Sequence, residues 1–205
     1  MNKKLIISTF AVLLCALSAS AQMRWAATAG VTGNNLVFKQ DLVNVSPTIG
    51  YQAGVMGEII FPGIGIGLDL GLYYNQQGAK VDLGSRKIWA SEGYGNEQIY
   101  LHNITIPLHL RFKYTRLNGL EDKIAPIVYG GPEFDIQVAH GNCKAMKYSG
   151  GDLGLTVGGG AELFKRWQIT GGYTWGMTYV LKTRLLDNFS ARSHQWHIRV
   201  AYFFK

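Results

Sequence analysis

Two groups of polar residues contain the side-chain types of an acyl-transfer triad. A nucleophile, a base and an orienting carboxylate catalyse such reactions when they lie within hydrogen-bond reach of one another. The groups are Ser193, His194 and Asp187, and Ser149, His140 and Asp152. Neither lies in a recognisable motif, and such residues are common in polar loops. The sequence therefore predicts no catalytic residues and no enzyme, with a lipid hydrolase or acyltransferase as an alternative.

Metal, phosphate and thiol chemistry have equally weak signals. The histidines show no ligand spacing beyond His194-x-x-His197, and one such pair does not make a metal site. The triplet Gly158–Gly160 lies in a strand pattern without a following helix, so a phosphate loop is not indicated. Cys143 stands in a polar loop and is read as incidental, with a reactive thiol as the alternative. We predict no metal site and no cofactor.

The elements that carry these residues follow from alternating hydropathy. In PGIGIGLDLGLYYNQQG, residues 62–78, every second position is apolar and the others are small or polar. Because side chains of an extended chain point alternately to opposite faces, each set is one face of a β-strand. The same pattern predicts about eight strands, at 25–31, 48–61, 62–78, 101–115, 124–138, 153–163, 167–179 and 196–205.

The connections between these strands alternate in length. Pro62-Gly63 and Lys165-Arg166 are read as tight turns, and 116–123 is somewhat longer. Long polar segments occupy 32–47, 76–98, 139–152 and 181–195. All long loops therefore leave one end of an antiparallel sheet, and all short turns leave the other.

The first 21 residues have the pattern of a secretory signal peptide. Lys3 and Lys4 precede an apolar run, and Ala19-Ser20-Ala21 is a cleavage signal, so residues 22–205 are predicted to form one mature domain. The formal charge of +7 falls to +5 without the two lysines. This excess is scattered, unlike that of a nucleic-acid-binding protein. No later segment has the roughly 18 apolar residues of a membrane helix.

The alternate positions of each strand that are not apolar, here called the polar parity, distinguish two kinds of barrel. A soluble lipocalin-like barrel has its apolar face inside, and an outer-membrane barrel has it outside. The polar parity is rich in Gly, Thr and Ala, and its few charges balance, as in a packed polar lumen. The membrane barrel is favoured, and the soluble binder of an apolar ligand remains the alternative. The predicted lumen network is Glu58, Asp69, Arg111, Glu133, Glu162 and Arg199.

Aromatic residues on the apolar parity gather near the two strand ends, where Tyr and Trp favour the membrane–water interfaces. They predict two interface girdles. The assigned residues are Phe61, Tyr74, Tyr100, Trp167, Tyr179, Trp196 and Phe204.

Several segments resemble a known family across essentially the whole mature chain. They are AATAGVTGNN, HNITIPLHLRF, PIVYGGPEFD and the terminal VAYFF. They resemble the small outer-membrane β-barrel family that includes the PorT-type proteins. The resemblance implies an eight-stranded barrel with periplasmic termini and a terminal aromatic read by the barrel-assembly machinery. Here Lys205 follows Phe204, a departure from that terminal signal.

The resulting expectation is a non-enzymatic barrel in a Gram-negative outer membrane, with a role in envelope structure, surface interaction or secretion. Expected partners are membrane lipids, lipopolysaccharide and an extracellular or secretion-system protein, but no nucleic acid. Leu68→Arg should block membrane assembly, whereas Gly67→Ala should be mild. Loop cations are available for lipopolysaccharide phosphates: Lys39, Lys80, Arg86, Lys87, Lys144, Lys147, Lys182, Arg184 and Arg192.

Overall fold

The computed structural model describes residues 22–40, 43–61, 65–84, 87–114, 119–141, 143, 145–183 and 189–204. The predicted signal peptide and Lys205 lie outside the described residues, as do Pro62-Gly63, Arg86, Lys144, Arg184 and Asp187. Apart from a four-residue helix, α1, and a short 3-10 turn, the regular elements are strands. They are β1 Gln22–Phe38, β2 Asn44–Ile60, β3 Ile66–Asp82, α1 Lys87–Ala90, β4 Asn96–Lys113, the 3-10 turn Leu120–Asp122, β5 Ile124–His140, β6 Met146–Tyr148, β7 Gly151–Leu163, β8 Trp167–Gly176, β9 Leu181–Thr183 and β10 Ser190–Phe203.

Eight long strands close into an antiparallel barrel, as the sequence predicts. Each long strand pairs with the next along the chain, and β10 returns to pair with β1, with Ala26 opposite Phe203 and Phe38 opposite Ala191. Closure removes the free sheet edges whose backbone groups would stay unsatisfied in lipid. None of the described helices is long and apolar enough to cross a membrane.

Several predicted strand boundaries are wrong at the long-loop end. β1 extends to Phe38 and β3 to Asp82, while β4 begins at Asn96 and β10 at Ser190, so predicted loops are partly strand. Conversely, β8 ends at Gly176 and leaves Tyr179 outside the strands. The short strands β6 and β9 were not predicted. Polar residues made these segments look like loops, although their alternation continues.

The outward face in the lower and middle part of the barrel is apolar. On β3 the outward residues run from Ile66 through Leu70 and Leu72 to Tyr74, whereas the alternate residues Asp69 and Asn75 are buried. Alternate burial of this kind also holds along β4 and β10. A soluble lipocalin-like barrel requires the opposite arrangement, so that alternative is rejected. We name this surface the outer apolar band.

Above the band, near the long loops, the two faces exchange character. On β3 and β4 the outward residues become polar, with Lys80 and Gln98 exposed, while the inward residues become apolar, with Val81, Ile99 and Leu101 buried. The inside-to-outside alternation itself is unbroken. A strand that leaves lipid for water must present polar groups outward, so its apolar residues pack inside, as in a soluble barrel. The exchange therefore marks the upper limit of the outer apolar band.

The β7–β8 connection, residues 164–166 between the paired Leu163 and Trp167, contains a strained β-turn. Its central residues are Phe164 and Lys165, with φ of 52° and 60°, rather than the predicted Lys165-Arg166. The Arg166 N–H donates to the Leu163 carbonyl at 3.1 Å, which closes the turn. Two successive left-handed residues match the twist of a hairpin but normally require Gly or Asn. Each such residue costs about 1–3 kcal/mol and persists only where the surrounding structure imposes its conformation.

The glycines of the lumen face leave no space for a side chain at several positions. A Cβ on Gly67 would lie 2.5 Å from the backbone oxygen of Ile59 on the paired strand. The expectation that Gly67→Ala is mild is therefore wrong on steric grounds. We predict that this substitution lowers the free energy of unfolding by about 1–3 kcal/mol, the usual cost of overpacking.

Urea titration of the protein in lipid vesicles, followed by tryptophan fluorescence, measures this loss. Gly171→Ala is the matched control, because the nearest atom to its Cβ would be the His197 oxygen at 3.6 Å. This control should change the unfolding free energy by less than about 0.5 kcal/mol. Equal unfolding midpoints for the two variants would contradict the close strand contact at Gly67.

Candidate functional site: the lumen and its outer cap

The lumen gathers most of the buried charge of the described chain and is therefore the first candidate site. All six residues predicted to form a polar network are buried on the lumen face. They form two clusters instead of one. The lower cluster, near the short turns, contains Glu58, Asp69, Arg111 and Glu162, and the middle cluster contains Glu133 and Arg199.

Arg111 is the centre of the lower cluster. Its Nη1 lies 2.6 Å from Oε1 of Glu58, and its Nη2 lies 2.6 Å from Oδ2 of Asp69. Nη1 also donates to Oε1 of Gln168 at 2.8 Å. The guanidinium is 1% exposed. A planar guanidinium that bridges two carboxylates pairs each buried charge directly. Oδ1 of Asp69 has no hydrogen-bond partner in the described structure.

Two further cations complete the lower cluster. Lys113 Nζ lies 2.5 Å from Oε1 of Glu162, and Arg24 Nη2 lies 2.5 Å from Oε2 of the same residue. Arg24 also pairs with Glu58. Together with Arg111, three basic side chains balance three carboxylates. The lower lumen is thus closed by a neutral network of direct ion pairs.

Arg24 was not part of the predicted network. The first strand predicted from the sequence begins at Trp25 and therefore does not include Arg24. The alternation of Ala26 and Thr28 on the inward face, continued backward by two positions, would have placed Arg24 in the lumen.

The middle cluster combines charge with aromatic rings. Glu133 Oε1 lies 3.4 Å from His109 Nε2 and 3.9 Å from Arg199 Nη2. The Arg199 guanidinium lies 5.3 Å from the ring centroid of Tyr73, a cation–π contact. The hydroxyl of Tyr129 lies 2.8 Å from His197 Nε2. These groups fill the barrel where its lower network ends.

An amide layer lies above the middle cluster. Gln195 Nε2 donates to Oδ1 of Asn34 at 2.7 Å and to Oδ1 of Asn75 at 3.1 Å. Gln77 donates to Asp135 at 2.9 Å and accepts a hydrogen bond from the Ser193 hydroxyl at 2.9 Å. Side chains from four different strands therefore bond directly across the interior.

An apolar cluster covers this polar interior at the long-loop end, and we name it the outer cap. β9 pairs with β10 through Leu181 and Ala191, and β6 pairs with β9 through Met146 and Thr183. These short strands extend the sheet of the barrel wall beside the upper end of β10. The buried residues of the outer cap are Leu36, Ala79, Val81, Leu83, Ile99, Leu101, Cys143, Ala145, Met146, Val180, Leu181, Phe189 and Ala191.

Cys143 belongs to the outer cap. Its thiol is buried, and burial raises the pKa of the thiol above its ordinary value. A buried thiol with a raised pKa is a weak nucleophile. Cys143 therefore acts as a small apolar side chain in the cap rather than as an exposed loop residue.

The predicted interface aromatics lie at several depths. Trp167 and Phe204 are exposed near the short turns, and Tyr100 and Trp196 are exposed on the upper half.

The other three predicted interface aromatics make specific contacts. Phe61 follows β2, and its N–H donates to the Ile66 carbonyl at 2.9 Å. Tyr74 ends the apolar row of β3, and its hydroxyl lies 2.6 Å from His102 Nδ1. Tyr179 lies in the connection after β8, where its ring is 5.0 Å from the Arg192 guanidinium.

The structure separates the first group of potential catalytic residues. Ser193 points into the lumen toward Gln77, whereas His194 points outward and lies 3.2 Å from the Tyr173 hydroxyl. The same alternation places His194 and His197 on opposite faces, so the two cannot share a metal ion. Asp187, the third member of the group, is not among the described residues.

The second group is also dispersed among separate partners. His140 stacks on Tyr148 with 3.9 Å between ring centroids, and the Ser149 hydroxyl donates to the Tyr179 carbonyl. Asp152 accepts a hydrogen bond from Thr178 at 2.5 Å. In the described part of the chain, His, Cys, Asp and Glu form no group of three that could hold a metal ion.

Comparison with solved structures shows that this chain is similar to small bacterial outer-membrane proteins. OprG from Pseudomonas aeruginosa has a TM-score of 0.52 and 12% identity, over 90% of this chain and 97% of that chain. Neisserial surface protein A has a TM-score of 0.46 and 11% identity, over 88% and 97%. Outer membrane protein W of E. coli has a TM-score of 0.44 and 13% identity, over 88% and 97%. At these identities the similarity to OprG supports the fold alone.

No individual curated protein matches this sequence. Residues 18–182, most of the chain, match the outer membrane protein β-barrel domain. The match agrees with the closed barrel and its outer apolar band. The chain therefore belongs to the outer membrane protein β-barrel domain family, and its place is the outer membrane.

Proposed function

We propose that this protein is a closed, non-enzymatic barrel that presents a folded surface on the cell exterior. The outer cap is the observation that carries the proposal. Its buried apolar residues bind β6 and β9 to the upper ends of β3, β4 and β10. The connections at this end thus carry a defined surface, while the lumen beneath them is filled by bonded side chains. This arrangement suits structure or recognition better than transport.

A closed lumen should not conduct ions. An eight-stranded barrel has an interior just wide enough for side chains, and here the ion pairs, amide layer and outer cap occupy successive depths. We expect no discrete openings when the purified protein is inserted into a planar lipid bilayer. A large porin in the same bilayer serves as the positive control. Stable openings that scale with the amount of inserted barrel would contradict the proposal.

The orientation in the membrane is part of the proposal. We place the long connections outside the cell and the termini in the periplasm, as in the PorT-type proteins that the sequence resembles. Lys80 at the capped end and Lys165 in the β7–β8 turn are both exposed and suit a labelling test. In a Cys143→Ala background, we expect a membrane-impermeant maleimide to label Lys80→Cys on intact cells. Lys165→Cys should be labelled only after lysis, and the reverse pattern would invert the orientation.

The partners follow from this orientation. Exposed cations at the capped end, such as Lys39 and Lys80, suit the phosphates of lipopolysaccharide, and a macromolecular partner would meet the surface of β6 and β9. A secretion-accessory role rests on the PorT-type resemblance. For assembly we propose recognition of the terminal aromatic Phe204 by the barrel-assembly machinery. The Phe204 N–H donates to the Trp25 carbonyl at 2.8 Å, which leaves the ring exposed on the outer surface.

A further inference from the structure

A notch lies at the short-turn end of the barrel, where β1 extends beyond the end of β10. β10 ends at Phe203 opposite Ala26, so β1 continues beyond it through Trp25, Arg24 and Met23. On the other side, the β7–β8 turn projects past the pairing of Trp167 with Tyr202. The notch between them has a volume of about 470 Å³, which lies within the usual range of small-molecule sites.

The outer walls of the notch are apolar and exposed. Met23, Trp25 and Phe204 are about half exposed, and Phe164 is 67% exposed at the tip of the turn. Phe203 and Arg24 form the inner side, with the guanidinium 4.3 Å from the ring centroid of Phe203. Arg24 is already paired with Glu58 and Glu162 inside the lumen, so its positive charge is not available to a ligand.

The charge available to a ligand comes from the turn. Lys165 Nζ pairs with Asp122 at 2.6 Å, but both side chains are more than 60% exposed. Such a pair is weak and exchanges readily for another anion. Arg166 is exposed and lies 3.4 Å from the Tyr202 hydroxyl. Within the described chain, Arg166 has no carboxylate within ion-pair distance, so its guanidinium can accept an anionic group.

The surrounding backbone imposes the strained conformation of this turn. The Phe164 N–H donates to the Lys123 carbonyl at 3.0 Å, and the Phe203 N–H donates to the Arg166 carbonyl at 2.8 Å. Arg24 Nη1 donates to the Lys165 carbonyl at 3.1 Å. The turn is thus held from both sides, with an aromatic and two cations at its surface. Residues kept in unfavourable backbone conformations cluster at ligand sites.

We propose that this notch binds one anionic phospholipid, with its phosphate on Arg166 and Lys165 and its glycerol and first acyl carbons against Trp25 and Phe204. An apolar wall beneath a cationic rim, at the edge of the outer apolar band, has the chemistry of a lipid at the membrane interface. That this is the periplasmic leaflet rests on the orientation proposed above. The predicted preference for an anionic lipid does not depend on that orientation.

Native mass spectrometry of the detergent-purified protein tests the proposal with equimolar phosphatidylglycerol and phosphatidylcholine. We expect wild type to retain phosphatidylglycerol about tenfold better. Both lipids have a phosphate, but that of phosphatidylcholine is neutralised by its own choline cation, which Arg166 and Lys165 would repel. Arg166→Gln should abolish most of this preference. Lys165→Asn should also reduce it, and since Asn tolerates the left-handed conformation, this variant should fold at least as well as wild type.

Lys80→Asn is the matched control, because it removes an exposed charge at the opposite end and should leave the preference unchanged. Equal retention of the two lipids by wild type would overturn the proposal, as would an equal loss in the Lys80 control. If inorganic phosphate displaces phosphatidylglycerol as well as excess lipid does, the site holds a phosphate ion and not a lipid. These outcomes are independent of conductance and orientation, so they are separable from a failure of the proposed function.

Discussion

Arg111→Met is expected to remove about 3–5 kcal/mol from the free energy of unfolding, because it leaves buried carboxylates without their cation. Glu58 and Asp69 would each lose a 2.6 Å contact with the guanidinium, and Gln168 would lose its donor. Methionine preserves most of the side-chain length, so the loss reports charge rather than volume. Urea unfolding in lipid vesicles, followed by tryptophan fluorescence, measures it.

Two comparisons make this result specific. Asp122→Asn breaks the exposed pair with Lys165 and should cost less than about 1 kcal/mol. Adding Asp69→Asn to Arg111→Met should recover part of the lost stability, because one of the unpaired carboxylates becomes neutral. If Arg111→Met unfolds at the wild-type urea concentration, the lower cluster is hydrated and the lumen is not sealed there.

Leu70→Arg is expected to prevent barrel assembly. Leu70 lies at the middle of the outward row from Ile66 to Tyr74, between Gly57 on β2 and Leu108 on β4. Arginine at the bilayer midplane costs about 2–4 kcal/mol, and the cost falls to about 0–1 kcal/mol near the interfaces. Leu68→Arg, one outward position nearer the short turns, should therefore be less damaging than Leu70→Arg.

The migration of outer-membrane fractions in SDS, unheated against boiled, provides the measurement. Wild type should migrate differently before and after boiling. Leu70→Arg should lack the band of the folded barrel, so that its unheated and boiled samples migrate alike. Gln76→Arg is the matched control, because it lies on the same face of β3 just above the apolar row and should assemble normally. Normal assembly of both leucine variants would reverse the assignment of the outward face.

The inside and outside of the membrane-spanning part could be assigned from local alternation. Leu68, Leu70 and Leu72 point one way in any extended strand, and Asp69 points the other, whatever the neighbouring strands are. The same argument placed Glu58, Asp69 and Arg111 together on the lumen face. It could not say that Arg111 joins the two carboxylates, since that depends on strand register and rotamers.

The exchange of faces above the outer apolar band shows why the long segments were misread. Val81 and Leu101 continue the inward parity of Asp69 and Asn103, but they are apolar, while the outward Lys80 and Gln98 are polar. With one rule for the whole chain, these segments had no consistent apolar face and resembled loops. The surrounding medium changes along a single strand, and hydropathy must then be interpreted separately on each side of the boundary.

The sequence by itself determined the architecture of this protein, because period-two alternation, turn placement and the absence of long apolar segments are local properties of the chain. The outer cap, the pairing within the lumen and the notch beside β10 were decided only by the tertiary structure. Each depends on residues that are distant in sequence and meet through closure of the barrel, as Arg24 meets Glu162 and Leu36 meets the strands of the cap. Closure fixes the register of every strand against two neighbours, and no local pattern contains that information.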